Sequence, residues 1–167
     1  MMAGGRDLTK PWYNQKDPTG KTTTEEVGLR FTCTQCGNCC TGPTGYVKFT
    51  DKEAAAMARD LGITVDAFMA KYTHDTEAGQ SLTENYTRGF GYDCVFLVRD
   101  ENGKSGCSVY KSRPAQCRTW PFWEGNLYSK AAWERAAKGC PGMNQGRLYA
   151  PEQIRISCRK ATESESD

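Results

Sequence analysis

The run Cys33-Thr34-Gln35-Cys36-Gly37-Asn38-Cys39-Cys40 constrains this chain more than any other eight residues. Thiolates are soft, anionic donors that prefer zinc and iron–sulfur centres, and a Cys-x-x-Cys spacing lets two sulfurs converge on one ion from a tight turn. A lone Cys-x-x-Cys also fits a redox pair, whereas the doubled spacing points to metal. Cys94, Cys107, Cys117, Cys140 and Cys158 bring the total to nine cysteines in 167 residues. Where thiols are kept reduced, so many cysteines serve as ligands; in an exported chain they would pair as disulfides, although an odd count leaves one over. The polar stretch from Met1 to Thr24 lacks the apolar core of a secretion signal, and no apolar run approaches the roughly 18 residues of a membrane span. The expectation is a cytoplasmic protein with no membrane partner.

A metal would also compensate for a thin core. Apolar residues make up 38% and charged residues 25% of the chain, with mean hydropathy at −0.70, so one polar domain with a modest interior is expected. With 22 basic and 20 acidic residues the net charge is +2, too small a field to hold a polyanion. Nucleic acid is therefore not an expected partner, and an unidentified protein partner stays open. Residues 1–27 read as a flexible N-terminal arm, rich in Gly, Pro and Thr, in which adjacent Trp12 and Tyr13 are expected to dock on the domain. Residues 28–160 form the cysteine-cluster domain, and 161–167 an acidic, frayed tail.

Within the domain, Gly45–Phe49 alternates like a short strand, and Thr50-Asp51-Lys52-Glu53 is a capping box opening a helix. Its apolar stripe is Ala54, Met57, Ala58 and Leu61, with Gly62 as the stop. Thr64 caps a second helix through Tyr72, with Val65, Phe68, Met69 and Tyr72 turned inward. Cys94–Val98 and Gly106–Tyr110 read as a hairpin around Asn102-Gly103. Ser112-Arg113-Pro114 starts a helical turn carrying Cys117, which Trp120–Trp123 breaks. A helix over Ser129–Lys138 and a last one from Ala150 follow, the latter with Ile154 and Cys158 on one face. The class is α+β: a small, irregular, loop-rich, metal-stapled domain with short helices and a β-hairpin.

Cys140-Pro141 supplies the Cys-Pro of a bacterial-type iron–sulfur site, but far from the run, so one or two four-thiolate zinc sites fit equally. His74 is the only histidine and is read as solvated. Cys39 and Cys40, in an extended segment, would point to different sides, which implies two sites or one site and a buried thiol. Cys94, Cys107 and Cys117 are expected to approach one another and part of the run. Gly37 lets the loop fold back, and Cys158 reads as a small core hydrophobe.

On these residues the sequence resembles the YkgJ-like cysteine-cluster family, zinc- or iron-chelating domains with a CxxCxxCC signature. The resemblance runs from Phe31 to Gly142. It rests on Phe31–Gly42, Cys94–Leu97, Cys107–Tyr110, Arg113–Arg118, Pro121–Trp123 and Cys140–Gly142. It implies chelation of zinc or iron, an iron–sulfur cluster included, by Cys33, Cys36, Cys39, Cys40, Cys94, Cys107, Cys117 and Cys140. Flagellin lysine-N-methylases carry a similar cysteine set, so the resemblance also admits an iron–sulfur-dependent protein-modifying enzyme. No Gly-x-Gly-x-x-Gly loop accompanies it here.

Arg113 and Arg118 flank Cys117, where fixed positive charge would favour thiolates, offset cluster charge or bind an anion; an ordinary surface ion pair is the alternative. Trp120, Phe122 and Trp123 are expected to pack over the metal and limit its solvent access.

Overall fold

A computed structural model describes residues 11–14 and 27–163. The rest of the expected arm and residues 164–167 of the tail lie outside the described residues. In chain order the elements begin with β1 (Leu29–Phe31), α1 (Asp51–Asp60), α2 (Val65–Tyr72), β2 (Thr73–Thr76), β3 (Gly79–Leu82), β4 (Glu84–Thr87) and β5 (Gly91–Cys94). They continue with β6 (Leu97–Arg99), β7 (Ser105–Cys107), α3 (Ala115–Thr119), α4 (Glu124–Leu127), α5 (Lys130–Gly139), β8 (Arg147–Tyr149) and α6 (Pro151–Glu163). The strands form separate antiparallel pairs, β2 with β3, β4 with β5, β6 with β7, and β1 with β8. The class is α+β, as the sequence implies.

The capping box opens α1: Thr50 Oγ1 accepts from the Glu53 amide at 3.3 Å and the Glu53 carboxylate accepts from the Thr50 amide at 2.9 Å. Thr64 caps α2 and Ser129 caps α5 in the same way, each hydroxyl accepting from the third residue on. Around the buried stripe of α1 gathers a first half-core of Ala54, Met57, Ala58, Phe68, Leu82, Phe96 and Val109. Phe68 and Phe96 stack in it with ring centroids 6.1 Å apart. A second half-core joins Tyr13, Leu29, Phe31, Phe122, Leu127, Trp133, Cys140, Met143 and Ile154. Trp12 and Tyr13 dock there as expected: Trp12 Nε1 donates to the Leu127 carbonyl at 2.7 Å, and Tyr13 is buried.

Four sequence expectations need correction. Residues 45–49 are not a strand, because the Gln116 side chain meets their backbone groups instead, donating to Tyr46 O and accepting from Lys48 N. Val65 faces solvent at 42% exposure, since the two-turn α2 buries only Phe68. Cys94 does not begin the predicted hairpin but ends β5, opposite Glu84, and the hairpin proper pairs Leu97–Arg99 with Ser105–Cys107. Cys39 and Cys40 sit in a 3₁₀ turn, Asn38–Cys40, rather than in extended chain. No helix among the described residues is long and apolar enough to cross a membrane.

Candidate metal centre

The two half-cores meet along a cavity of about 60 Å³, and the cysteines collect there. Cys33, Cys36, Cys39, Cys40, Cys94, Cys107, Cys117 and Cys140 all line it, drawn from five separate stretches of chain. Phe31, Trp120 and Cys140 bring the second half-core to its wall, and Leu82, Phe96 and Val109 bring the first. No His, Asp or Glu lines it, so thiols dominate its donor set. None of the nine cysteines is disulfide-bonded, and His74 is exposed on β2. Cys158 lies apart, half-buried against the second half-core on α6, where the sequence put it.

The CxxCxxCC loop is bent by Gly37, whose φ is +75°. A Cβ there would lie 2.7 Å from Ser105 Cβ and 2.9 Å from Leu97 Cδ1, so only glycine lets the loop rest against the β6–β7 hairpin. The 3₁₀ turn that follows brings the Cys39 and Cys40 sulfurs within 3.8 Å. That is the edge of a tetrahedron of thiolates about 2.3 Å from one ion, about 3.8 Å. The neighbouring thiols are therefore placed to share a centre, contrary to the expectation from an extended segment. The sulfurs as a whole are spread along the wall: among the described residues no three Cys, His, Asp or Glu side chains are already gathered into a ligand set.

The electrostatics of the wall separate the thiols. A hydrogen bond from Cys40, helped by the Arg113 guanidinium and opposed by burial, brings Cys39 down to about 7. Cys40 is held strongly protonated by that same bond, then by burial and by charge at Cys39, Cys117 and Cys94. Burial pushes Cys94 up to about 11, with charge at Cys107 and Cys39 adding to it. Cys117 and Cys107 are also raised, mainly by burial, and Arg113 opposes both shifts. A soft cation entering the cavity must displace these protons, which couples its uptake to pH.

Arg113 and Arg118 part company. Arg113 lines the cavity, stacks its guanidinium 3.6 Å from the Tyr110 ring centroid and donates from Nε to Tyr110 O at 2.9 Å. Arg118 instead pairs with Glu53 at 3.2 Å, the ordinary ion pair of the alternative reading. Of the three aromatics, only Trp120 lines the cavity, and its Nε1 donates to Cys140 Sγ at 3.5 Å. Phe122 is buried against Trp133, and Trp123 Nε1 donates to Gln116 O, so neither covers the site. Tyr110 is the functional candidate that sequence reasoning missed. Its hydroxyl hydrogen-bonds Cys33, which pushes the phenol up; its one sequence signal is its place three residues after Cys107.

A small α+β domain with eight of its nine cysteines lining one cavity is a cysteine-cluster domain. Residues 32–141 match the CxxCxxCC family, described as a "Putative zinc- or iron-chelating domain", and the chain belongs to that family. The match has nearly the bounds of the resemblance read from the sequence. The uncharacterized protein MJ0661 of Methanocaldococcus jannaschii is 32% identical over 98 residues, which are 57% of this chain and 46% of the relative. The chain thus spans about half the length of that curated relative. No solved structure matches.

Proposed function

We propose that the protein chelates zinc or iron, as an ion or an iron–sulfur cluster, through thiolates of the eight cavity cysteines, and that the metal joins the two half-cores. One observation carries this reading: eight cysteines from five separate stretches of chain line a single cavity that no His, Asp or Glu lines. A set this soft favours zinc, iron–sulfur or cuprous centres over magnesium or calcium. Free thiols in such number fit a reduced, cytoplasmic setting. Residues 28–160 are the unit that folds around the metal. The protein-modifying alternative rests on the resemblance alone.

Purification without oxygen, followed by the visible spectrum and by iron, zinc and acid-labile sulfide per chain, tests the proposal. A brown protein with sulfide matching its iron identifies a cluster, and a colourless one with bound zinc identifies a tetrathiolate site. A chain that retains no metal and takes up none on reconstitution overturns it.

A further inference from the structure

The cavity meets solvent on the side of the cysteine run. Of the residues that line it, the exposed ones are Cys33, Thr34, Gln35 and Cys39, whereas every lining residue from another stretch of chain is half-buried or buried. Residues 33–36 therefore form a thin wall with the cavity on one side and water on the other. That wall is pinned at its ends and not between them. Before it, Thr32 N donates to Gly142 O at 3.0 Å; after it, Asn38 Nδ2 donates to Gly139 O at 2.8 Å and Gly37 packs closely on Leu97 and Ser105. Among the described residues, no backbone hydrogen bond reaches residues 33–36 themselves. Gln35 adds strain, since its φ of +55° is a left-handed conformation that a side chain disfavours. What fastens the stretch from the cavity side is the Tyr110 hydroxyl, hydrogen-bonded to Cys33. Exposed backbone with few ties marks a segment that opens locally at low cost.

We propose that residues 33–36 are a flap through which the metal is exchanged, and that the protein passes a thiophilic ion directly to a metal-free, cysteine-rich acceptor protein, beginning at Cys33. This rests on the metal-binding reading above. An acceptor thiol reaching the exposed Cys33 from solvent forms a bond to the ion as the bond from Cys33 Sγ breaks, and the proton that the acceptor thiol loses goes to Cys33. The ion keeps its oxidation state and its count of sulfur ligands, and it is not released to water. Cys36, on the same flap, is the next thiol to be replaced, while the less exposed thiols of the wall retain the ion until the acceptor holds it. Tyr110 is the positioning residue of this device: its hydroxyl holds Cys33 against the cavity, and its own ring is fixed by the Arg113 guanidinium, 3.6 Å from the ring centroid.

The test is zinc transfer from the loaded, reduced full chain to a dye-labelled, metal-free four-cysteine zinc-finger peptide. The expected rate rises in proportion to peptide concentration and exceeds the rate of loss to an equal concentration of EDTA, which has no thiol. Y110F, which unlatches Cys33 without removing a thiol, should speed transfer by about threefold or more at an unchanged zinc content, while Y86F on the surface of β4 leaves the rate as it was. Residue-resolved hydrogen exchange on the loaded wild type needs no variant: the amides of residues 33–36 should exchange at least about tenfold faster than those of Thr32 and Cys40. A rate independent of peptide concentration, or no faster than loss to EDTA, overturns direct transfer. Equal protection along the loop, or a folded Y110F that transfers zinc at the wild-type rate, overturns the flap. A wild type that retains neither zinc nor iron overturns the metal-binding reading itself.

Discussion

At the residue scale, Arg113 is the cation whose position the site uses. Its charge lies among Cys39, Cys107 and Cys117 and favours the thiolate of each. Removing it withdraws that help, so R113Q should shift thiol ionisation to higher pH. In the metal-free protein, alkylation of Cys39, which begins near its value of about 7, should move to higher pH, while R118Q leaves it in place. Mass-resolved iodoacetamide labelling against pH reads both. Gly37 gives a second prediction. G37A must hold a side chain at φ +75° against Ser105 and Leu97, and should lose about 1–3 kcal/mol of stability together with metal affinity, measured by thermal melting and chelator competition. Spacing marked the four cysteines of the run, and the family resemblance added the other four wall residues. The relation of Cys39 to Cys40 was not legible, because it depends on backbone state: a tight turn rotates successive side chains by roughly 100–120° where a strand rotates them by 180°.

Elements show the same division between local and distant information. Helices α1, α2 and α5 were legible because stripe and cap lie within a few residues of each other. The hairpins β2–β3 and β4–β5 were not, since stretches such as Thr73–Thr76 and Glu84–Thr87 have no apolar alternation. The Asp93–Arg99 pair links β4–β5 to β6–β7, two-pronged and with both side chains mostly out of water. Arg99, donating to Asp93, holds its carboxyl well below the usual carboxylate range. A depressed carboxyl contributes stability that is present above about pH 4, its unfolded value, and is lost as pH falls toward its folded value. D93N should therefore destabilise the protein by about 3 kcal/mol at neutral pH and flatten the acid limb of its stability profile. Because Asp93 adjoins Cys94 and Arg99 lies on the strand paired with that of Cys107, the variant should also weaken metal binding, which a chelator competition would register. Glu53 illustrates a role hidden from sequence. The capping box announced it, but its second oxygen also accepts from Ala115 N at 2.6 Å, seating α3 and with it Cys117.

At the scale of the whole molecule, two small half-cores, nine and seven buried residues, face each other across a wall of thiols. Periodicity revealed the stripes that build each half but not their assignment to opposite sides of one cavity, which arises from contacts between segments distant in sequence. Cores of that size are individually marginal, so the bond between them matters more than either. With metal bound, ligands from both halves are tied to common centres, and the metal's binding free energy becomes folding free energy. Removing it under reducing conditions should leave α1, α5 and α6 partly formed while the halves lose their fixed relation. The near-ultraviolet signal of Trp120, which bonds Cys140 at the seam, should collapse before the far-ultraviolet signal does. A loss of about 5 kcal/mol would lower the melting midpoint by about 10–20 °C in a chain of this length. Circular dichroism in both regions, with and without a strong chelator, measures this directly. An unchanged midpoint after complete metal removal would mean that the half-cores hold each other unaided, and that the thiol wall serves reactivity instead of architecture.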